Sequence, residues 1–365
     1  MSQTMFNTNI QTQTLLVEGK YYSKDLLPEG STPIMEDLRD FLTEWYNEDE
    51  FYTVYTSGST GKPKALKVKK EQMMQSACLT CSFFKLMPED KVLLCMPLTY
   101  IAGKMMLVRA LVGKLNLYVV QPSGHPLADT SVVFRFAPMI PLQVFNSLQI
   151  PEERSRLERI EILLLGGGLI DPFLEKELRL FPNAVYISYG MTETLSHIAL
   201  RRINGSESSR YYTPLSSVSL SLSSDETLII DAPLICSNKL YTNDRAIIHS
   251  DGHFEILGRI DNVVNSGGIK IQIEQVEETL RSLLFSPFAI TSVPHPKFGE
   301  ALILLIKGTI CLKKLQLGMK SLLPSYQMPK QVIEVDDIPL TTSGKINRPA
   351  VRQLAMKLID YSILT

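Results

Sequence analysis

Hydrophobic residues recur along the chain with two different spacings. Leu38, Phe41, Leu42 and Trp45 share one side of a helix predicted over Met35 to Tyr46. From about Phe51 to Arg259, strand-like runs alternate with helical stretches: TVYT, a helix at Gln72 to Phe84, KVLLCMP, an apolar stretch after Gly103, LNLYVV, EILLLGG, a helix at Pro172 to Leu180, and AVYISYG. This order predicts an α/β fold with layers around a largely parallel sheet.

The pattern changes beyond Gly258. The segment GRIDNVVNSGGIKI is extended and punctuated by glycine. The elements predicted after it are a helix with Ile273, Val276, Leu280, Leu283 and Leu284 on one side, a strand at Ala301 to Lys307, a weak helix around Lys313 to Leu323, a strand at Gln331 to Val335 and a closing helix. Together they predict a small α+β domain.

Composition narrows the class of protein. A chain of 365 residues exceeds the size at which one core usually stops growing, so two domains are expected. A net charge of -1 and a pI near 6.5 argue against nucleic acid as a partner. Apolar runs such as Ala301 to Ile306 are too short to span a bilayer, and no signal segment is evident. We expect a cytoplasmic protein without stable membrane insertion; its oligomeric state stays open, a homodimer included.

The five cysteines are odd in number and scattered, which argues against a disulfide framework. The lone CLTC at 78–81 has no second Cys/His pair at ligand spacing. We therefore predict buried apolar cysteines on a helix and no redox or metal site.

The segment YTSGSTGKPKAL, residues 55–66, has the chemistry of a phosphate-holding loop. Hydroxyl donors, flexible glycines and cations come together there, from Thr56, Ser57, Gly58, Ser59, Thr60, Gly61, Lys62 and Lys64. A strand before the loop and a helix after it give the usual context for phosphate binding. The spacing is not that of a Walker A motif, and the alternative is a solvated polar connection.

Two further segments follow apolar strands, where open α/β sheets bind nucleotides. Gly166, Gly167 and Gly168 end the run EILLLGGG, although a simple glycine turn would look the same. In YGMTET, Tyr189 can stack on a base, Thr192 can donate to a phosphate, and Glu193 can hold Mg²⁺, since a polyphosphate-bound ion needs few protein carboxylates. The alternative for YGMTET is a polar turn with a helix cap.

Asp244 and Arg259 flank a predicted hairpin around Ser250 to Gly252. A carboxylate such as Asp244 can accept both hydroxyls of a ribose. Each residue alone is more often an ordinary surface charge, so a functional interpretation depends on its occurrence with the upstream loops.

With these segments in hand, the chain resembles the adenylate-forming superfamily of acyl-CoA synthetases, carrier-protein adenylation domains and luciferases. Five segments match in the family's order, namely YTSGSTGKPKAL, YGMTET, the Asp244 segment, GRIDNVVNSGG and PLTTSGKINR. The resemblance implies an N-terminal ATP and acyl-substrate domain over residues 1–259 with a shortened first subdomain, a hinge at 260–262 that includes Asp261, and a mobile C-terminal domain over 263–365.

The resemblance also implies a two-step reaction with ATP, Mg²⁺ and coenzyme A. In the first step, a carboxylate attacks the α-phosphate of ATP; Lys345 would bridge the reacting anions, while the loop Thr56 to Lys64 would hold the departing pyrophosphate. In the second step, the coenzyme A thiol displaces AMP, and the segment from Ser266 to Lys270 would replace Lys345. The nucleotide-binding residues implied in these segments include Tyr189, Gly190, Met191, Thr192, Asp244, Arg259, Ser266, Gly267 and Gly268. Relatives often carry histidine at the position of Tyr100 and lysine at the position of Asn265. The resemblance therefore implies adenylation but does not imply that these two residues gate the site as they do in relatives.

Within this family, the compact form and the run YGMTETLSHIALR look most like the o-succinylbenzoate:CoA ligases of menaquinone biosynthesis. A dicarboxylate substrate needs a cation for its second carboxylate, because an unpaired buried charge is costly. Arg109 is the candidate, with Tyr100, Ser196 and His197 shaping the pocket and Arg201 as a weaker option. For His197, a packed or surface histidine is the alternative.

Two other functions remain open from the sequence. One is a CoA ligase for another aryl or short acyl acid, which would share the ATP residues and differ in the pocket. The other is a degenerate adenylation fold acting as a binding protein, against which the retention of Lys345 and Glu193 argues.

Overall fold

The computed structural model of the protein describes residues 6–55, 65–168, 170, 172–341 and 345–360. The predicted phosphate-holding residues Thr56 to Lys64 lie outside this range. Among the described residues, no helix has both the length and the apolar composition needed to cross a bilayer.

The chain divides into two compact units. The first comprises residues 1–220, 230–240 and 250–253, and the second comprises residues 221–229, 241–249 and 254–365. These units group the hairpin that carries Asp244 and Arg259 with the C-terminal residues, whereas the sequence prediction drew its boundary at 259. Contact alone does not define a hinge, so the predicted hinge at 260–262 stays a prediction.

Helices and strands alternate through the first unit. Its helices are α1 (Pro33–Trp45), α2 (Lys70–Phe84), α3 (Ile101–Gly113), α4 (Pro141–Leu148), α5 (Pro151–Glu158) and α6 (Pro172–Leu178). Its strands are β1 (Leu15–Val17), β2 (Lys20–Tyr22), β3 (Phe51–Tyr55), β4 (Ala65–Lys69), β5 (Lys91–Leu94), β6 (Asn116–Val119), β7 (Phe136–Met139), β8 (Ile162–Leu165), β9 (Ala184–Gly190), β10 (His197–Arg202) and β11 (Thr213–Pro214).

The main sheet is largely parallel, as the sequence predicts. In the described part of the chain it has nine strands in the order β11-β10-β9-β8-β7-β5-β6-β1-β2. The inner pairs from β1 to β9 are parallel, while β2, β10 and β11 pair antiparallel at the two edges. All four residues of β8 are buried, because the sheet is covered on both faces.

The prediction that the TVYT strand belongs to the parallel sheet is wrong. β3 pairs antiparallel with β4 in a separate two-stranded sheet, with Tyr55 opposite Ala65. Tyr52 and Val54 are buried while Phe51 and Tyr55 are exposed, the alternation of an antiparallel ribbon with one solvated face. The candidate phosphate loop therefore joins two strands, and α2 begins only at Lys70.

The second unit is built mainly from two sheets. The first, of order β12-β13-β14-β15 in the described chain, has most of its residues in this unit and consists of β12 (Ser219–Leu222), β13 (Thr227–Asp231), β14 (Leu240–Ile248) and β15 (Phe254–Arg259). The second consists of β16 (Val263–Ser266), β17 (Ile269–Gln272), β18 (Phe288–His295), β19 (Gly299–Lys307) and β20 (Gln331–Val335). The helices are α7 (Ile273–Leu280), α8 (Leu312–Leu322) and α9 (Arg348–Leu358).

The central strand β19 explains how this second sheet is covered. Leu302, Leu304 and Ile306 join a core with α7 and α8, whereas Ile303 and Leu305 join a core with α9. Because successive side chains point to opposite faces, the continuous apolar run predicts a strand buried on both sides. The sequence missed β18, which pairs with β19 along its whole length.

Gly190 ends β9 where β10 returns beside it. A Cβ at this position would lie 2.2 Å from the Ser196 carbonyl oxygen and 2.7 Å from the His197 Cα. Both atoms belong to the backbone, so they cannot move aside as a flexible side chain could. The close return of β10 therefore requires glycine.

Gly190→Ala is expected to lower the free energy of unfolding by about 3 kcal/mol, because the strands must separate to admit the methyl group. Chemical denaturation measures the change. Gly168→Ala is the control, since a Cβ there would meet only Pro141 side-chain atoms at 3.8 Å or more; it is expected to change stability by less than about 1 kcal/mol. Equal effects of the two variants would contradict this account.

Candidate active site

The three glycines after β8 occupy the carboxyl edge of the parallel sheet. A Cβ at Gly166 would lie 2.7 Å from the Ser188 hydroxyl of the neighbouring β9. Gly167 has a φ of 80°, a backbone conformation that favours glycine. The structure thus puts this segment beside the end of β9, as expected from parallel strands.

The YGMTET segment forms a short 3₁₀ turn, Thr192–Thr194, directly after β9. Thr194 is fully buried and stabilises the turn: its hydroxyl accepts from the Met191 N–H at 2.9 Å and lies 2.7 Å from the Ser196 carbonyl. Tyr189 is half-buried with its ring 5.9 Å from that of Tyr212. The turn leaves Thr192 partly exposed at the sheet edge.

Glu193 is exposed at this turn, and no salt bridge involves its carboxylate within the described residues. The same part of the chain contains no group of three or more His, Cys, Asp or Glu side chains that could hold a metal ion. A single open carboxylate fits an ion that arrives with a polyphosphate, since Mg²⁺ then needs few protein ligands. It would not suit a resident metal.

Arg109 lies on α3 and is only 3% exposed. Its Nη2 donates to the Ser196 hydroxyl, but its buried Nε has no partner, and no carboxylate pairs with it among the described residues. Burial lowers the pKa of Arg109 to about 10, so the guanidinium stays charged at neutral pH. The site therefore contains an uncompensated buried cation, a costly arrangement.

His197 continues the contact from Ser196. Its Nδ1 lies 3.2 Å from the Ser196 hydroxyl, and its Nε2 lies 3.2 Å from the hydroxyl of Thr80 on α2. Burial and, second, the positive charge of Arg109 lower the pKa of His197 well below its usual value. His197 is thus a buried neutral histidine: a surface histidine is excluded, whereas the alternative of a packed histidine fits the structure.

Other polar residues near this stretch are engaged elsewhere. Arg201 makes two hydrogen bonds to Glu175, at 3.1 and 2.7 Å, which leaves it unsuited to a substrate carboxylate. Lys104 donates to the Tyr52 hydroxyl at 3.2 Å. Tyr100 precedes α3 and is exposed. Arg109 is therefore a nearly fully buried cation of this region without an anionic partner among the described residues.

The second unit brings three separately predicted residues together. Asp244 on β14 lies opposite Arg259 on β15, and the Arg259 guanidinium is 3.5 Å from the Asp244 carboxylate. Arg259 also donates to Asp261 at 3.0 Å, as does Asn243. Burial disfavours ionisation of Asp261, but these two hydrogen bonds outweigh it and lower the pKa of that carboxyl.

The charges of Asp244 and Arg259 act on Lys345. Although Lys345 is exposed as a residue, desolvation lowers the pKa of its ammonium; the Asp244 carboxylate opposes that shift and the Arg259 charge adds to it. An ammonium, a carboxylate and a guanidinium are therefore close enough to interact. This arrangement is compatible with a site for a ribose and a phosphate, a role that stays a prediction.

A buried ion pair fixes the chain immediately after Lys345. Arg348 begins α9 and donates two hydrogen bonds to Glu277 on α7, at 2.6 and 2.7 Å, and one to the Ile290 carbonyl at 3.1 Å. Asn347 caps α9 by accepting from the Ala350 N–H. The Lys345 carbonyl accepts from the Thr341 N–H at 2.7 Å. Lys345 thus has a backbone hydrogen bond to Thr341 and lies three residues before the side chain that ties α9 to α7.

Ser266 ends β16, and Gly267 and Gly268 form the two-residue hairpin turn that leads to β17. Gly267 and Gly268 have φ values of 61° and 84°, which suit a tight turn that follows the twist of the strands. The Gly267 N–H donates to the Phe298 carbonyl at 2.8 Å. The structure fixes this turn against Phe298, and its predicted exchange with Lys345 stays a prediction.

The CLTC cysteines belong to α2, as predicted, but only Cys81 is buried, whereas Cys78 is half-buried. Burial raises the pKa of Cys78 to about 11 and that of Cys81 to about 12, so neither thiol is reactive at neutral pH. The redox alternative is therefore disfavoured by burial as well as by spacing.

Sequence reasoning missed several residues that support the site. Thr194 holds the turn after β9, Thr80 contacts His197, and Glu277 holds Arg348. A threonine inside a helix and a glutamate in an amphipathic helix carry no distinctive local signal. Arg348 could have been singled out, since it closes the PLTTSGKINR segment.

Comparison with known proteins places this geometry in context. The model of the family described as "AMP-binding enzyme" matches residues 7–234, more than half of the chain. The chain is similar to a solved acyl-CoA synthetase (AMP-forming)/AMP-acid ligase II-like protein from Dyadobacter fermentans, with 32% identity and a TM-score of 0.62. That match covers 89% of this chain and 95% of the other.

Two further relatives are more distant. The 2-succinylbenzoate–CoA ligase of Geobacillus sp. is 24% identical over 346 residues, which cover 85% of this chain and 70% of that protein. The o-succinylbenzoate coenzyme A synthetase of Bacillus subtilis, solved with ATP and magnesium ion, is 21% identical with a TM-score of 0.70, over 87% of this chain and 74% of that one. At this identity the second likeness establishes the fold alone.

His197 is expected to make the protein sensitive to acid. Its pKa is depressed in the folded state, so the unfolded state takes up a proton first as the pH falls below about 6.5. Below that pH, this one group should lower the free energy of unfolding by about 1.4 kcal/mol for each unit by which the pH falls. His197→Gln, which keeps a donor toward Thr80, should flatten the pH dependence of the unfolding free energy by one proton just below pH 6.5. An unchanged slope would contradict the assignment of a buried neutral histidine.

Proposed function

The chain belongs to the AMP-binding enzyme family, and from that premise we propose that it is an ATP-dependent, AMP-forming acid:CoA ligase. A substrate carboxylate oxygen attacks the α-phosphorus of ATP. The bond between this phosphorus and the oxygen that bridges it to the β-phosphorus breaks, and pyrophosphate leaves. The coenzyme A thiol then loses its proton and attacks the acyl carbon, and AMP leaves. The supporting observation is the contact between Asp244 and Arg259, whose charges also act on Lys345; these three residues are taken here as one group.

Each residue of this group has a role that its chemistry suits. The Asp244 carboxylate accepts the two ribose hydroxyls, and Arg259 holds Asp244 in place. The Lys345 ammonium lies between the substrate carboxylate and the α-phosphate, two anions that repel each other without it. Glu193 and Thr192 would hold the phosphates of ATP with their Mg²⁺, which would supply positive charge toward the departing pyrophosphate.

We assign o-succinylbenzoate as the preferred acid. The uncompensated guanidinium of Arg109 supports this choice, because a buried cation is stabilised by an anion that the substrate supplies. The names of the 2-succinylbenzoate–CoA ligases similar to this chain support it further. Another aryl or short acyl acid is the alternative substrate.

The first test separates the two half-reactions. Lys345→Ala should reduce pyrophosphate release by about 100-fold or more, the scale of a lost transition-state charge contact. Thioester formation from preformed acyl-adenylate should change little, because Lys345 acts only in the first step. Lys313→Ala, an exposed lysine on α8, is the control. If the wild type releases no pyrophosphate with any acid, the chain is a binding protein and the proposal fails.

The second test addresses the acid. Arg109→Met should raise the KM for o-succinylbenzoate by about tenfold or more, since the second carboxylate loses its cation. The same variant should keep or increase thermal stability, because it removes an unpaired buried charge. Arg201→Met is the matched control: it breaks the ion pair with Glu175, so it should lower stability and leave the KM unchanged. An unchanged KM in Arg109→Met would show that Arg109 does not bind the second carboxylate of the substrate.

A further inference from the structure

Five residues of the first unit form one chain of buried polar contacts. Arg109 Nη2 donates to the Ser196 hydroxyl, which lies 3.2 Å from His197 Nδ1. His197 Nε2 lies 3.2 Å from the Thr80 hydroxyl, and that hydroxyl donates to the Ser76 carbonyl at 3.1 Å. Thr80 and Ser76 are both fully buried on α2. No water is needed to connect the guanidinium on α3 to the backbone of α2.

The direction of each hydrogen bond follows from the last one. A threonine hydroxyl has one hydrogen, and Thr80 gives it to the Ser76 carbonyl. Thr80 can then only accept from His197, so Nε2 of the neutral ring carries the hydrogen. Nδ1 consequently has a free lone pair, and it accepts the hydrogen of Ser196.

This order leaves Ser196 without a hydrogen for the substrate. Its only hydrogen is directed at His197, and its oxygen faces the guanidinium of Arg109. The donors offered to an acid at this place are therefore those of Arg109, whose buried Nε has no other partner in the described chain. A guanidinium binds a carboxylate strongly, whereas a serine hydroxyl would also serve a neutral acceptor.

We propose that Thr80 is a specificity-determining positioning residue: by fixing the tautomer of His197, it commits the Ser196 hydroxyl and leaves Arg109 to select a negatively charged group over a neutral polar one. This inference rests on the proposed function for its substrate and adds a residue on α2 that does not touch it. Thr80 acts through His197 and Ser196.

Removing the Thr80 hydroxyl reverses the order of donors. In Thr80→Val the shape is kept, but the Nε2 hydrogen would face a methyl group and lose its acceptor. The tautomer with hydrogen on Nδ1 avoids that loss, and it donates to Ser196. The Ser196 hydrogen then turns elsewhere and becomes available to a neutral substrate group.

The test compares Thr80→Val with Thr80→Ser in the full chain. Substrates are o-succinylbenzoate and its two monoamides, in which a neutral carboxamide replaces one of the two carboxylates. The preference is the ratio of kcat/KM for the dicarboxylate to that for the better analogue. Thr80→Val should lower this ratio by about tenfold, the scale of one buried hydrogen bond, and Thr80→Ser should keep it within about twofold of the wild type.

Nitrogen NMR of the histidine rings reports the tautomer of His197, which would not change if Thr80 only stabilised the fold. The His197 resonances are identified by their loss in His197→Gln. The wild type and Thr80→Ser should show hydrogen on Nε2, and Thr80→Val should shift toward hydrogen on Nδ1. An unchanged tautomer in Thr80→Val, or an equal loss of kcat/KM for all three acids, would overturn the inference.

The outcome also separates this inference from the proposed function. If the wild type shows no preference for the dicarboxylate, the assigned substrate is wrong, and the NMR readout still decides whether Thr80 sets the His197 tautomer. If the wild type prefers the dicarboxylate and Thr80→Val keeps both preference and tautomer, the inference alone fails.

Discussion

The parallel pairing of β7, β8 and β9 is the constraint on which the first unit's candidate site depends. Parallel strands end at the same edge, so the glycines after β8 and the turn after β9 become neighbours there. The chain then returns as β10 so closely that only Gly190 fits between the strands. That return brings Ser196 and His197 behind the turn, within reach of Arg109 on α3.

The buried guanidinium of Arg109 is a local conflict between stability and function. Residues 105–113 of α3 are all buried, and such a helix is most stable when apolar throughout. An arginine with an unpaired Nε in that position lowers stability, and such violations concentrate at functional sites. Ser196, His197 and Thr80 satisfy one end of the guanidinium and order it, while its Nε has no partner in the described chain.

The second unit holds the backbone of an exposed lysine in a defined place. Lys345 lies just before α9, and Arg348 ties the first turn of that helix to Glu277 and to the Ile290 carbonyl. A bidentate pair with a nearly fully buried carboxylate resists displacement more than a surface ion pair does. The core on both faces of β19 supplies the rigid base, with α7 on one face and α9 on the other.

The sequence by itself determined the fold class, the main elements and the segments that carry chemistry, because hydrophobic periodicity and glycine-rich loops are local properties of the chain. The parallel sheet, β20 at Gln331–Val335 and the helix α1 follow that pattern closely. The sequence did not reveal that β3 pairs with β4 outside the main sheet, nor did it reveal β18, since strand pairing depends on contacts between distant residues. Only the tertiary structure decided that Arg109 lacks a carboxylate partner among the described residues while Arg201 has one. Only the tertiary structure also revealed the contact of Thr80 with His197. The two residues are 117 positions apart, and the local sequence around neither of them predicts the contact.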